Sequence, residues 1–340
     1  MATNRGVLCS ASKEFAAGRL QRVEHAPFAK KPVLAEKRHG RHATTTRLKR
    51  VMRRLSLRII PIAIAGLIVF FQFCSSEKFT NEAGRTARVG LSLQQEEQLG
   101  VQSYRQVLSQ MQTIDTGSEF ERVRKVATRL ARATGKSGSE FEWSISLVRG
   151  REINAFCLPG GKIVVYTGIL PVAQDEAGLA TVLGHEMAHA TARHGSERLF
   201  KQRATQTLLT GVQVSISDMS YEQQRALMAA FGAGAQFGFL LPFSRDHEAE
   251  ADEIGLIYMA RAGYDPRAAI SFWERMSQAG GRQQQPPEFM STHPSHGTRI
   301  ERLKAAIPKA LKEYRPGLEQ KSPSAEEPLE EDASRSDRGR

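Results

Sequence analysis

A chain of 340 residues has room for one large or two small domains, and a formal charge of +12 first suggests a nucleic-acid partner. Locating the charge removes that suggestion: residues 1–54 hold 14 Lys/Arg against three Glu, so nearly all of the excess lies at the front and the remainder is close to neutral. That front segment has no interleaved aromatics and no recognisable binding module, so no nucleic acid is expected; the cysteines (Cys9, Cys74, Cys157) leave one in the folded part and no disulfide there.

Residues 1–51 are basic and lack sustained apolar periodicity, which predicts a segment that is disordered or absent from the mature protein, with Met52 as an alternative start. Residues 52–76 read as a signal peptide or membrane anchor. Met52, Arg53, Arg54 and Arg58 precede Ile59–Phe71, thirteen residues without a charge, short for a span and normal for the apolar part of an export signal. Cys74 stands where a lipoprotein carries its acylated cysteine, although Phe71, Gln72 and Phe73 depart from the usual small residues. The Arg-rich, acid-poor start also resembles a mitochondrial transit peptide. Each reading sets the chain at a membrane outside the cytosol, in the bacterial periplasm and envelope or at the mitochondrial inner membrane.

Residues 77–90 are polar and read as a loop-like tether before a folded part at 91–314. Ser92 is a helix N-cap, followed by Leu99, Tyr104, Val107, Leu108 and Met111 at helical spacing; a second helix near 119–133 aligns Phe120, Val123, Val126 and Leu130. The period then changes to two: Phe141, Trp143, Ile145 and Leu147 predict a strand, and 154–170 a hairpin turning at Pro159-Gly160-Gly161. An extended peptide can pair with a free sheet edge, which makes Asn154, Ala155 and Phe156 candidates for holding substrate.

Residues 175–200 read as one helix containing His185-Glu186-Met187-Ala188-His189. Imidazoles four residues apart share a face and can converge on one zinc ion, and Glu186 can take the proton of a water there, so the implied chemistry is amide hydrolysis. Gly195 stands six residues after His189, where metzincins place a third histidine, so another ligand must come from elsewhere. The block Ser244–Asp252 predicts a helix capped at Ser244. On it Glu248 and Asp252 share a face, so one can bind zinc while the other accepts a hydrogen bond from a ligand histidine; His247 competes as ligand. His194, five residues after His189, falls off the ligand face and reads as structural.

Residues 226–243 are nearly uncharged, and Gln236 and Pro242 argue for a buried helical pair or lid beside the cleft rather than a span. Gly263 to Pro266 ends one helix and starts the next, with Ala269, Phe272, Trp273 and Met276 facing inward; residues 280–287 form a flexible loop, His296 is exposed, and 315–340 is a disordered tail.

Gly184–His194, Ser244–Asp252, the Asn154–Gly161 hairpin and His293-Pro294, in this order, resemble the family forty-eight zinc metallopeptidases of the HtpX, BepA, LoiP and Oma type, over about residues 85–312. The resemblance implies a gluzincin-like α+β domain, mainly helical with a small sheet beside the active-site helix, and one Zn2+ per chain. It makes Glu248 the third ligand, and it brings His293 near the active site, to contact the zinc in a closed state or to steady the transition state; a loop histidine bonding only backbone is the alternative. Asp252 and Arg299 join as supporting residues. Endoproteolysis of misfolded membrane or envelope proteins in quality control is the implied role. The alternative is a non-proteolytic chaperone or scaffold on the same zinc fold.

Overall fold

The computed structural model describes the backbone of residues 40–236, 240–279, 289–290, 293 and 298–316, and the side chains of these except 40–57 and 241–243. The expectations for residues 1–39, the 280–287 loop, Pro294, His296 and residues 317–340 lie outside the described residues. The chain divides into Met1–Met52 and Arg53–Arg340. Of the first unit only a helical stretch from Gly40 is described, the start of helix α1 (Gly40–Ser75); all that follows concerns the second.

The second unit is mainly helical with two small sheets. After α1 come strands β1 (Glu77–Thr80) and β2 (Thr86–Val89), helix α2 (Leu93–Leu108), β3 (Thr113–Ile114), α3 (Ser118–Ala133), β4 (Ser144–Val148), β5 (Ala155–Leu158) and β6 (Lys162–Tyr166). Then follow α4 (Leu170–Ala173), α5 (Glu176–Thr191), α6 (His194–Ser215), α7 (Tyr221–Ala235), α8 (Leu241–Arg261), α9 (Ala268–Ala279) and α10 (Arg299–Leu311). β1 and β2 pair as a hairpin; the larger sheet runs β3-β4-β6-β5, with β4 and β6 parallel and the outer pairings antiparallel.

α5 is the centre of the packing. Asp175 starts it by accepting the Gly178 amide at 2.8 Å, and its side chains are apolar nearly all round, as a helix enclosed on every side requires. Leu179, Leu183 and Met187 are fully buried, each stabilising the fold by roughly 1.5–3 kcal/mol. The stripe Phe120, Val123, Val126 and Leu130 packs α3 on one side of it, and α8 and α9 cover the others with Ile254, Tyr258, Phe272 and Trp273. β6, buried along its whole length, is the middle strand, and β5 is an edge.

Several expectations are corrected. The single helix over 175–200 is two: Thr191 ends α5, and Arg193 takes a left-handed backbone (φ 55°). Its buried guanidinium holds that break, donating to Glu96 at 2.9 Å and to the Leu91 carbonyl at 2.6 Å. The loop-like tether at 77–90 is the β1–β2 hairpin, with Ala87 and Val89 buried. On α2 the buried line is Glu96, Gly100 and Tyr104, leaving Leu99 43% exposed. α8 begins at Leu241 with Pro242 in its first turn, so Ser244 lies inside the helix rather than capping it. The buried lid expected within 226–243 is not formed by α7, which has no buried residue.

Candidate metal centre

α5 and α8 touch through glycines. A methyl group added at Gly255 would stand 2.9 Å from the His185 amide nitrogen, and one at Gly184 would stand 3.1 Å from the Gly255 carbonyl oxygen. Only such close approach brings Asp252 and Glu248, about one and two turns earlier on α8, against the histidine face of α5.

Four donor residues, His185, His189, Glu248 and His293, hold their ligand atoms within 4.8 Å of one another. His185 Nε2 lies 3.1 Å from His189 Nε2 and 3.3 Å from Glu248 Oε2, while Glu248 Oε1 lies 3.4 Å from His189 Nε2. His293 Nδ1 stands 3.3 Å from His185 Nε2 and 3.1 Å from Glu248 Oε1. These separations match the edge of a tetrahedron with bonds of about 2.0–2.1 Å, which is ~3.3 Å, so the donor set fits zinc. Glu186 adds a second indication: its Oε2 accepts the Cys157 amide at 3.2 Å, while its buried Oε1 has no hydrogen-bond partner among the described residues and stands 3.4 Å from His293 Nε2.

The electrostatics bind the group together: burial would lower His185, but its bonds to Asp252 and Glu248 raise it to about 9. Burial opposes ionisation of Glu248, yet hydrogen bonds from His185, His189 and His293 outweigh it and hold the carboxyl far below its usual range. Burial pushes the Glu186 carboxyl up, partly offset by His293 and His185. His189 is driven well down by burial, toward the neutral imidazole that a metal ligand must be.

Each α5 histidine is oriented from behind. Asp252 Oδ1 accepts from His185 Nδ1 at 3.0 Å and from Arg299 at 2.5 Å, and the Arg299 guanidinium lies 3.4 Å over the Trp273 ring. His189 Nδ1 lies 2.9 Å from His194 Nδ1, and His194 Nε2 lies 2.9 Å from Glu250 Oε2. Burial lowers His194 to about 4, so it is neutral. An ionised carboxylate can only accept, so His194 carries its proton on Nε2; its Nδ1 then accepts from His189 and leaves the His189 Nε2 lone pair facing the cluster. Arg85, from the β1–β2 hairpin, ties this arrangement together, with Nε 2.9 Å from Glu250 Oε2 and its terminal nitrogen 2.8 Å from Glu197 Oε2.

The structure therefore brings His185, Glu186, His189, Glu248, Asp252, His293 and Arg299 into one group, buried except for partly exposed His189 and His293. His247, the competing ligand, is not in it: its Nε2 bonds Glu197 at 3.0 Å and its ring stacks on His194. Asn154, Ala155 and Phe156 lie at and beside edge strand β5. The Asn154 carbonyl accepts the Tyr166 amide, so alternation turns the main-chain groups of Ala155 and Cys157 away from β6, toward the edge that Glu186 meets. Sequence reasoning missed Arg85, Glu197 and the His194–Glu250 bond. His194 was legible as a histidine near the motif, but Arg85 carries no signal in the sequence.

A zinc-type H-E-x-x-H helix, an acid from the crossing helix and a small sheet with its edge over the site define a gluzincin-like metallopeptidase domain. The chain belongs to peptidase family M48, whose model matches residues 117–307. It is 38% identical over 221 residues to the mitochondrial metalloendopeptidase OMA1 of Schizosaccharomyces pombe, a match covering 65% of this chain and 63% of that protein. It is 39% identical over 178 residues to human OMA1, covering 51% of this chain and 34% of that protein. It is also 28% identical over 256 residues to the beta-barrel assembly-enhancing protease of Escherichia coli, covering 74% and 52%. The chain thus spans less than two thirds of the length of these relatives.

Proposed function

We propose that this chain is a zinc-dependent endopeptidase that cleaves membrane or envelope proteins in quality control, held at a membrane by α1. The observation that carries the reading is the meeting of three donors from two helices, His185, His189 and Glu248, with the Glu186 carboxylate between them and the β5 edge. His185, His189 and Glu248 would hold one zinc ion, which when bound polarises a carbonyl and acidifies water. Glu186 is the general base: its Oε1, which has no hydrogen-bond partner among the described residues and only His293 Nε2 at 3.4 Å, takes the proton of the attacking water and passes it to the leaving amine, and its burial-raised affinity for a proton suits that exchange. The outward main-chain groups of Ala155 and the outward carbonyl of Cys157, whose amide is held by Glu186, would align a substrate strand once the edge is uncovered, which favours backbone recognition over side-chain choice. His293 takes the fourth corner of the donor set, so it must swing aside before water enters, the closed state among the alternatives above. Asp252, with Arg299 behind it, keeps the His185 Nε2 lone pair aimed at the metal.

A membrane setting is supported by Arg58–Ser75, long and apolar enough to cross a bilayer by length and composition. Digestion of casein or a native membrane substrate by wild type, beside Glu186→Gln with its zinc measured, tests the reading. Cleavage by wild type and none by a zinc-loaded variant supports it; equal activity of the two overturns it.

A further inference from the structure

The turn of the β1–β2 hairpin presents two donors in one direction. Gly84 takes a left-handed backbone (φ 86°), and Asn81 Oδ1 accepts the amides of Ala83 and Arg85, both at 3.1 Å. With its oxygen engaged, the Asn81 side chain offers Nδ2 outward, and Nδ2 donates to Glu250 Oε1 at 2.7 Å. Arg85 Nε donates to both oxygens of the same carboxylate, at 3.0 and 2.9 Å. The two terminal nitrogens of Arg85 meet Glu197 as a fork, at 3.1 and 2.8 Å. The hairpin is also bound to the last turn of α1, since Arg88 donates to the Phe73 carbonyl at 2.6 Å and lies 3.8 Å over the Phe73 ring.

Glu250 comes from α8 and Glu197 from α6, and each holds a histidine. Glu250 Oε2 accepts from His194 Nε2, Glu197 Oε2 accepts from His247 Nε2, and the two rings stack at 3.9 Å with 10° between their planes. Three hydrogen bonds of 2.9 Å thus lead from Arg85 through Glu250 and His194 to His189. The direction of this relay depends on where Glu250 stands, because an accepting carboxylate is what keeps the His194 proton on Nε2. With Glu250 turned away, His194 can carry its proton on Nδ1, donor to donor with the His189 Nδ1 proton. His189 then shifts its own proton to Nε2, the atom that faces His185 and Glu248, and loses the lone pair a metal needs. Among the described residues, the donors that hold Glu250 in place, apart from His194 itself, are Asn81 and Arg85.

We propose that Asn81 and Arg85 are positioning residues for the zinc ligand His189, acting through Glu250 and His194, so that the hairpin leaving α1 is part of the metal site. The proposal rests on the reading of His185, His189 and Glu248 as the zinc ligands.

The test measures the zinc affinity of the full chain in detergent by competition with a chromophoric chelator. Arg85→Met should weaken binding roughly tenfold and Asn81→Ala roughly threefold, at or below the low end for residues that touch a ligand directly. Glu82→Gln, on the same turn, breaks the hairpin's bonds to Arg261 and Ser137 without touching the relay, and should leave affinity unchanged. In a His194→Ala background, Arg85→Met and Asn81→Ala should add nothing, since the residue they act through is gone. In the zinc-free protein carrying nitrogen-15 histidine, the ring signal that His194→Ala removes should report protonation on Nε2 in wild type and shift toward protonation on Nδ1 in both hairpin variants. Asn81→Ala carries the test if Arg85→Met does not fold. Unchanged affinity in the folded hairpin variants, a loss in Glu82→Gln equal to theirs, or a loss that persists undiminished in the His194→Ala background overturns the proposal. A wild type that does not bind zinc overturns instead the ligand reading on which it rests.

Discussion

Replacing Gly255 by alanine tests whether the α5–α8 contact sets the metal centre. The new Cβ would lie 2.9 Å from the His185 nitrogen, where ordinary contact begins at 3.4 Å, and its neighbours there are backbone atoms of a buried helix that cannot turn aside. The helices must therefore part by about 0.5 Å, beyond the roughly ±0.2 Å that metal–ligand distances tolerate. Overpacking costs about 1–3 kcal/mol, offset by about 1 kcal/mol of improved helix propensity, so stability changes by only ~0–2 kcal/mol. Zinc affinity should fall by about 10–100-fold, since Glu248 and Asp252 both retreat from His185. Gly184→Ala, at 3.1 Å from a carbonyl oxygen, should lose less. Competition with a chromophoric chelator gives the affinities, and thermal unfolding with and without zinc gives the stabilities. Unchanged zinc affinity in Gly255→Ala would refute the reasoning, as would a larger loss in Gly184→Ala.

Other outcomes follow from the same geometry. Glu186→Gln should keep a full equivalent of zinc and lose cleavage, whereas His185→Ala should lose the metal; a full equivalent in His185→Ala, measured by atomic emission, means the ligand assignment is wrong. His194→Ala should weaken zinc binding by about 10–100-fold while folding is retained, because the His189 Nδ1 proton loses its acceptor. Arg85→Met removes the cation shared by Glu197 and Glu250 and should lower stability by about 1–3 kcal/mol, the lower end applying because 35% of the Arg85 side chain is exposed; urea unfolding measures it. Chelation of the metal should lower the unfolding temperature, by the equivalent of about 4 kcal/mol when free zinc had stood at 1,000 times its dissociation constant.

Local pattern made much of this protein legible. The i, i+4 spacing of His185 and His189, the shared face of Glu248 and Asp252, the stripe from Phe120 to Leu130 and the double-glycine turn after Pro159 are short-range facts, and helix and strand periodicity converts them directly into faces and turns. The reading failed where a distant partner overrode that pattern. Arg193 breaks a predicted helix because Glu96 and Leu91 satisfy its buried guanidinium, and the polar stretch 77–90 becomes a hairpin because Arg85 has two carboxylates to bind. A buried face was expected of 226–243 from its uncharged composition, yet α7 has no buried residue, because composition does not fix which helices a segment packs against.

The sequence by itself determined that two imidazoles with a base, and a separate acid pair, exist at helical spacing, because backbone geometry alone carries side chains three or four residues apart to one face. Only the tertiary structure decided that Glu248 rather than His247 meets those imidazoles, that His293 completes the group, and that Arg85 and His194 stand behind it. Those choices depend on how close α8 comes to α5. Two glycines permit that approach, and no local pattern reveals which backbones will meet at them.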